Sequence, residues 1–316
     1  MTTATPTSAR IGIPIALIAG SCASLQFGAA LAVQLFPDVG AWGVAALRLL
    51  IAATLLVAVS RPKIRPWRRE EWMAIAWFGL SLAGMNGFFY AAIERLPLGP
   101  AVAIEFLGPL ALAAALTRRL ADAAWVGLAV TGVGLFGLDS VIGSDPLDLF
   151  GAGLALIAAA FWVLYIRGSA RVGRLVPGIG GLAMALAIAS VALLPFGVPA
   201  VAVLAARPEL LWLALGTAVF ASVVPYTLEL LALRRLPQRV FGVLISLEPV
   251  FAALFGWLLL AQTIGAMKIA AIALVVAASV GITLATREKP LAPPEPVLTG
   301  AIPTVTGAIR IQPARD

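Results

Sequence analysis

Apolar residues run along this chain in long unbroken blocks, without the alternation that would leave one face wet. Ile11 to Leu35, Trp42 to Ser60 and Ile269 to Ala285 are blocks of this kind, and they approach or exceed the ~18 residues that mark a bilayer-crossing helix. A membrane barrel would instead alternate apolar and polar positions with a period of two. The pattern therefore predicts an all-α integral membrane protein with ten transmembrane helices, at 11–35, 42–60, 72–94, 99–116, 122–139, 149–167, 177–197, 209–231, 239–261 and 265–285. Pro37, Pro62, Pro97, Asp145-Pro146, Pro208 and Pro237 fall at the breaks, where a residue that cannot continue a helix is expected. The first block is too long for a signal peptide, lacks a basic leader beyond Arg10 and is followed closely by another span, so it is read as span 1.

Lysine and arginine orient these spans. With a cytoplasmic N-terminus the inner loops hold the cluster from Arg61 to Arg69, then Arg118 and Arg119, Arg167 to Arg174, and Arg234 to Arg239, whereas the outer loops hold only Arg95, Arg207 and Lys268. That bias places both termini in the cytoplasm of a bacterial inner-membrane, multi-pass protein. It also accounts for the net charge of +7 without nucleic acid as a partner. From Pro290 onward the chain is rich in proline, threonine and small residues, and a disordered cytoplasmic tail is expected there.

Composition removes several kinds of chemistry. Charged residues make up 12% of the chain and hydrophobic ones 61%, against ~25% charged in a soluble domain. The single cysteine, Cys22, forbids an intramolecular disulfide, and the absence of histidine removes the commonest metal ligand and general base. No enzyme, metal site or cofactor is expected. A carboxylate-only membrane enzyme and a membrane scaffold remain as non-transport alternatives.

The sequence repeats itself. Arg95-Leu96-Pro97 leads into PLGPAVAIEFLGPLALAAAL, and Arg235-Leu236-Pro237 leads into PQRVFGVLISLEPVFAALFG, an offset of about 140 residues; ALIAGS at 16–21 faces ALIAAA at 155–160. Five spans per half make the copies enter the membrane from opposite sides, a plan recurrent in secondary transporters. With the intramembrane Arg48 and with Pro109 and Glu248-Pro249 in the paired helices, the chain resembles the drug/metabolite transporter superfamily, with two EamA-type repeats. The segments YAAIERLPLGPAVAIEFLGPL and PYTLELLALRRLPQRVFGVLISLEP are similar to its threonine/homoserine exporter branch. The resemblance implies a cytoplasmic N-terminus at 1–10, a first repeat at 11–140, a second at 149–287 and a tail at 288–316. It also implies export of small amino acids by alternating access, coupled to protons, with room for a homodimer. Another metabolite or a drug-like cation is the alternative cargo.

Polar residues inside the spans are the candidate pathway. Arg48 lies ~7 residues, or roughly 10 Å, inside span 2, a charge that costs at least a few kcal/mol unless it finds a partner or water. Glu105 in span 4 lies at similar depth from the same side, so a buried Arg48–Glu105 pair is expected. Glu248 in span 9 matches Gly108 of the first repeat, one turn beyond Glu105, and two desolvated carboxylates suit groups that take up and release a proton. Glu229 in span 8 lies near Arg234 and Arg235, which are expected to satisfy it. Asn86 and Tyr90 share one face of span 3 at i, i+4, and Gln26, Trp162, Tyr165 and Tyr226 add polar handles for a small solute. Trp42, Trp67, Trp72, Trp125 and Trp212 are expected in interfacial belts.

Overall fold

The computed structural model describes residues 9–62, 65–117, 120–142, 148–176, 178–233 and 244–285. These belong to one compact unit, Met1–Thr286. Arg287–Asp316, with the expected tail, lie outside the described residues, as do Arg234, Arg235 and the first residues of the ninth span. Every regular element among the described residues is helical: α1 Ala9–Ser60, α2 Arg69–Ile93, α3 Leu98–Glu105, α4 Leu107–Thr117, α5 Leu120–Ile142, α6 Leu149–Leu175, α7 Gly180–Ala192, α8 Leu194–Ala206, α9 Leu211–Ala218, α10 Val224–Leu233, α11 Glu248–Leu260 and α12 Ala266–Ala285. A 3₁₀ turn, Pro208–Leu210, opens α9, and a π-helical turn, Val219–Val223, joins α9 to α10.

The helices fall where the apolar blocks lie, and their breaks are informative. In α1 the helical geometry is interrupted at Gly40, whose φ of 70° and ψ of 159° suit a residue without a Cβ. The apolar part of this element, Ile15–Ser60, is 46 residues long, more than twice the ~20 needed to cross a bilayer once. Three further stretches are long and apolar enough to span: Arg69–Ile93, Leu149–Leu175 and Pro208–Glu229. Shorter apolar helices lie at Leu98–Leu112, Ala123–Phe136, Glu248–Leu260 and Ala266–Gly281.

The seventh block departs from expectation. Instead of running straight from 177 to 197, it breaks after α7, and α8 leaves at an angle of 83°. Pro195 stands in the first turn of α8, where its missing N–H and its ring prevent α7 from continuing.

Alanine-rich faces let the helices pack closely. α2 lies along α6 and α5 along α12, α3 meets α11, and α1 threads among α7 to α11. Large apolar side chains such as Trp212 (79% exposed) and Leu149 (79%) face outward, as a lipid-facing surface requires. Trp42 is half-buried, with ring centroids 5.2 Å from Phe88 and 5.1 Å from Phe196.

Candidate functional site

Three prolines shape the centre of the molecule. An α-helical N–H at position i bonds the carbonyl at i−4, so a proline frees that carbonyl and crowds it. Pro109 does this to Glu105, Pro225 to Ala221 and Pro249 to Ile245. The helices respond at these points: Phe106 separates α3 from α4, the π turn precedes Pro225, and a turn at Ser246 and Leu247 precedes α11. Interrupted helices place polar backbone and carboxylates at membrane depth, which is tolerated only where protein or a cavity covers them.

They surround a cavity of about 380 Å³, within the ~300–1,000 Å³ usual for small-molecule sites. Glu105, the last residue of α3, Glu229 on α10 and Glu248, the first of α11, all line it. So do Gln26 and Arg48 from α1, Asn86 from α2, and Trp162, Tyr165 and Ser169 from α6. Met85, Phe89 and Ile166 supply apolar wall. Trp162, Tyr165 and Ser169 recur at helical spacing, so they share one face of α6.

Arg48 is almost fully buried, at 5% exposure, and its donors are engaged. Nε donates to Ser222 Oγ at 2.9 Å, Nη1 to Tyr90 OH at 3.1 Å, and Nη2 to the Ala221 carbonyl. The last is the acceptor that Pro225 frees, so a guanidinium replaces the missing backbone donor. The guanidinium carbon also lies 5.5 Å from the Tyr90 ring centre, within cation–π range. Close approach makes this possible: a Cβ on Gly28 would stand 2.5 Å from the Ala221 amide nitrogen. The expected Arg48–Glu105 pair is not among the described ion pairs; both groups face the cavity, and the arginine's described hydrogen bonds go to α2 and the π turn.

The carboxylates are lightly partnered. Glu229 Oε1 accepts from Ser21 Oγ at 2.8 Å. None of the described ion pairs includes Glu105, Glu229 or Glu248. Among the described residues no group of carboxylates lies close enough to hold a metal ion. Glu248 stands in the first turn of α11, where a negative charge faces the positive end of the helix dipole favourably.

Eight of the expected residues thus meet at one cavity: Glu105, Glu229, Glu248, Arg48, Asn86, Gln26, Trp162 and Tyr165. Tyr90 sits behind them as a prop for Arg48, and the Tyr226 side chain lies outside the described residues. Ser169 and Pro225 were not singled out by the sequence reading, although Ser169 lies one turn beyond Tyr165 and Pro225 repeats the proline signal of Pro109 and Pro249.

Comparison with known proteins gives a consistent picture. The EamA-like transporter family matches residues 149–284. A protein named threonine/homoserine exporter RhtA from Salmonella typhimurium strain LT2 is 40% identical over 282 residues, 89% of this chain and 94% of that relative. The protein of the same name from Escherichia coli K12 is 39% identical over 291 residues, 88% of this chain and 94% of that one. A solved crystal structure with 20% identity superimposes with a TM-score of 0.54, covering 86% of this chain and 98% of the other; that likeness concerns the fold.

Proposed function

This chain belongs to the EamA-like transporter family of the drug/metabolite transporter superfamily, and from that premise we propose that it exports threonine and homoserine by proton-coupled alternating access. It is a membrane transporter, not an enzyme. Its ten spans form two inverted halves at 11–140 and 149–287, with both termini in the cytoplasm of a bacterial inner membrane. Reporter fusions at loops 61–69 and 143–148 test that topology, since opposite compartments are expected for them.

The observation that carries the proposal is the convergence of Glu105, Glu229 and Glu248 on one cavity in a chain so similar to named exporters. A zwitterionic amino acid brings an ammonium that these carboxylates attract, and protons compete for the same oxygens. Loading the cargo therefore expels protons, and protonation expels the cargo, which couples outward movement of one to inward movement of the other. Arg48 has its donors held in place before cargo arrives, so it offers a fixed positive field toward the amino acid's carboxylate. The interrupted helices α3/α4 and α11 and the π turn are the joints about which the halves rock.

Purified protein in liposomes, given an imposed proton gradient, tests this by counterflow of radiolabelled threonine and homoserine. Gradient-dependent flux of either, lost in Glu248→Gln, is the expected result. A drug-like cation is the second reading, favoured by three carboxylates beside Trp162, Tyr165 and Phe89. Flux of such a cation with no amino-acid flux would replace the first reading.

A further inference from the structure

Gln26 differs from the hydrogen-bonded polar groups of the cavity. Asn86 donates Nδ2 to the Leu82 carbonyl at 2.9 Å, Ser169 donates to the Ile166 carbonyl at 3.1 Å, Glu229 accepts from Ser21, and Arg48 is held on three sides. Gln26 lines the same cavity at 2% exposure, yet its Oε1 has no hydrogen-bond partner among the described residues. A buried amide oxygen left unpaired forfeits its hydration with nothing in return, and such groups in folded proteins call for an explanation by function, water or ligand. A cargo that supplies the missing partner gives that explanation.

The chemistry of the neighbours limits which part of the cargo this is. Carboxylates match an ammonium and the guanidinium matches a carboxylate, so both charged ends of an amino acid already have counterparts. A primary amide is neutral and carries donors and an acceptor on adjacent atoms, as a hydroxyl does. Whichever way the amide's oxygen and nitrogen are turned, it can pair with a hydroxyl. Leu25 and Ala29, from the same helix, and Pro225 and Ile245 add apolar wall to the cavity, suited to the carbon atoms that carry the hydroxyl.

We propose that Gln26 is a specificity-determining residue that hydrogen-bonds the side-chain hydroxyl of the exported amino acid. This rests on the reading of the cargo as threonine or homoserine. Selection then follows from loss rather than gain: an isostere with a methyl in place of the hydroxyl leaves the buried amide oxygen without a partner. A site that hydrogen-bonds a hydroxyl rejects its deoxy analogue far more strongly than an apolar site rejects an added hydroxyl.

The test compares threonine with valine, and homoserine with 2-aminopentanoate, as competitors of radiolabelled threonine counterflow in liposomes. Gln26→Leu removes both polar atoms at nearly constant volume, and Gln26→Met repeats the test at constant length should the first variant not fold. The wild type is expected to prefer threonine over valine by about 100-fold and the variants by less than about 10-fold, with valine binding maintained or improved. An unchanged threonine-to-valine ratio, or equal weakening of both, would overturn the role of Gln26. A wild type that moves neither threonine nor homoserine would instead overturn the cargo assignment on which the inference rests.

Discussion

The acids of the cavity and the acids at the helix ends face opposite situations. At the ends three acids have basic partners from different segments: Asp148 with Arg95 at 2.9 Å, Asp139 with Lys268 at 3.9 Å, and Asp38 with Arg207. Those three cations are the ones that the charge bias assigns to the outer loops. In the cavity, Glu105, Glu229 and Glu248 share among the described residues one lining cation, Arg48, whose described hydrogen bonds go to other groups. A fold selected only for stability would pair its buried charges and leave its exposed ones to water. The inversion separates charges that tie segments together from charges kept available for something that comes and goes.

The largest effect expected from breaking this comparison is at Glu248. Glu248→Gln keeps the shape of the side chain and its place at the start of α11, and removes only the titrating oxygen. Gradient-driven threonine flux should fall at least ~100-fold, the upper range of a positioned proton-transfer group, while the variant keeps its thermal midpoint. A variant retaining full gradient-driven flux would return Glu248 to the class of structural acids. Next comes Arg48→Lys, which keeps the charge and loses the planar fork. A lysine cannot serve Ser222, Tyr90 and the Ala221 carbonyl together, so flux should fall roughly 10-fold and the midpoint should drop as well. Flux lost without any change in midpoint would mean that Arg48 acts on the cargo alone.

How much of this was legible in the sequence depends on the range of the interaction involved. The apolar helices were legible because bilayer thickness imposes a length and a hydropathy on each block, and both are local. Glu105, Glu248 and Arg48 were legible for a related reason: a charge inside such a block is costly enough to need a purpose. What the groups bond to was not. The partners of Arg48 on the π turn lie 173 and 174 residues away along the chain, and a π turn forms only when tertiary contacts reward it. Ser21 reaches Glu229 across 208 residues, too far along the chain for any local pattern to announce. The 83° bend after α7 had a local cause in Pro195, but a proline also suits a helix start within a straight path, so the direction of the chain was undetermined.

At the helix ends the effects shrink. Asp148 caps α6 by accepting from the amides of Phe150 at 2.9 Å and Gly151 at 3.0 Å, and it pairs with Arg95. The Gly151 amide above all, with the arginine, holds its carboxyl below the ordinary range. A depressed pKa in the folded state contributes stability that is present above the unfolded value and is lost as the pH falls through the folded one. Thermal melts of the wild type should therefore weaken below about pH 4 more steeply than those of Asp148→Asn, which keeps a capping side chain but cannot titrate. Transport near neutral pH should be the same in both. Equal acid slopes would show that the cap alone matters and the charge does not.

The smallest effect is expected at Arg207, where the guanidinium meets both Asp38 and Glu209 and its own protonation is strengthened mainly by the bond to Asp38. Half of this side chain is exposed, so water and salt screen the pair and its replacement by solvent costs little. Arg207→Gln should leave threonine flux unchanged within about twofold and the melting midpoint within about a degree, with even that difference vanishing in high salt. A large, salt-insensitive loss of flux would mean that the tie between the Asp38 turn and the end of α8 moves with the transport cycle. In that case the helix-end pairs would join the cavity acids as working parts, and the separation between the two regions would no longer hold.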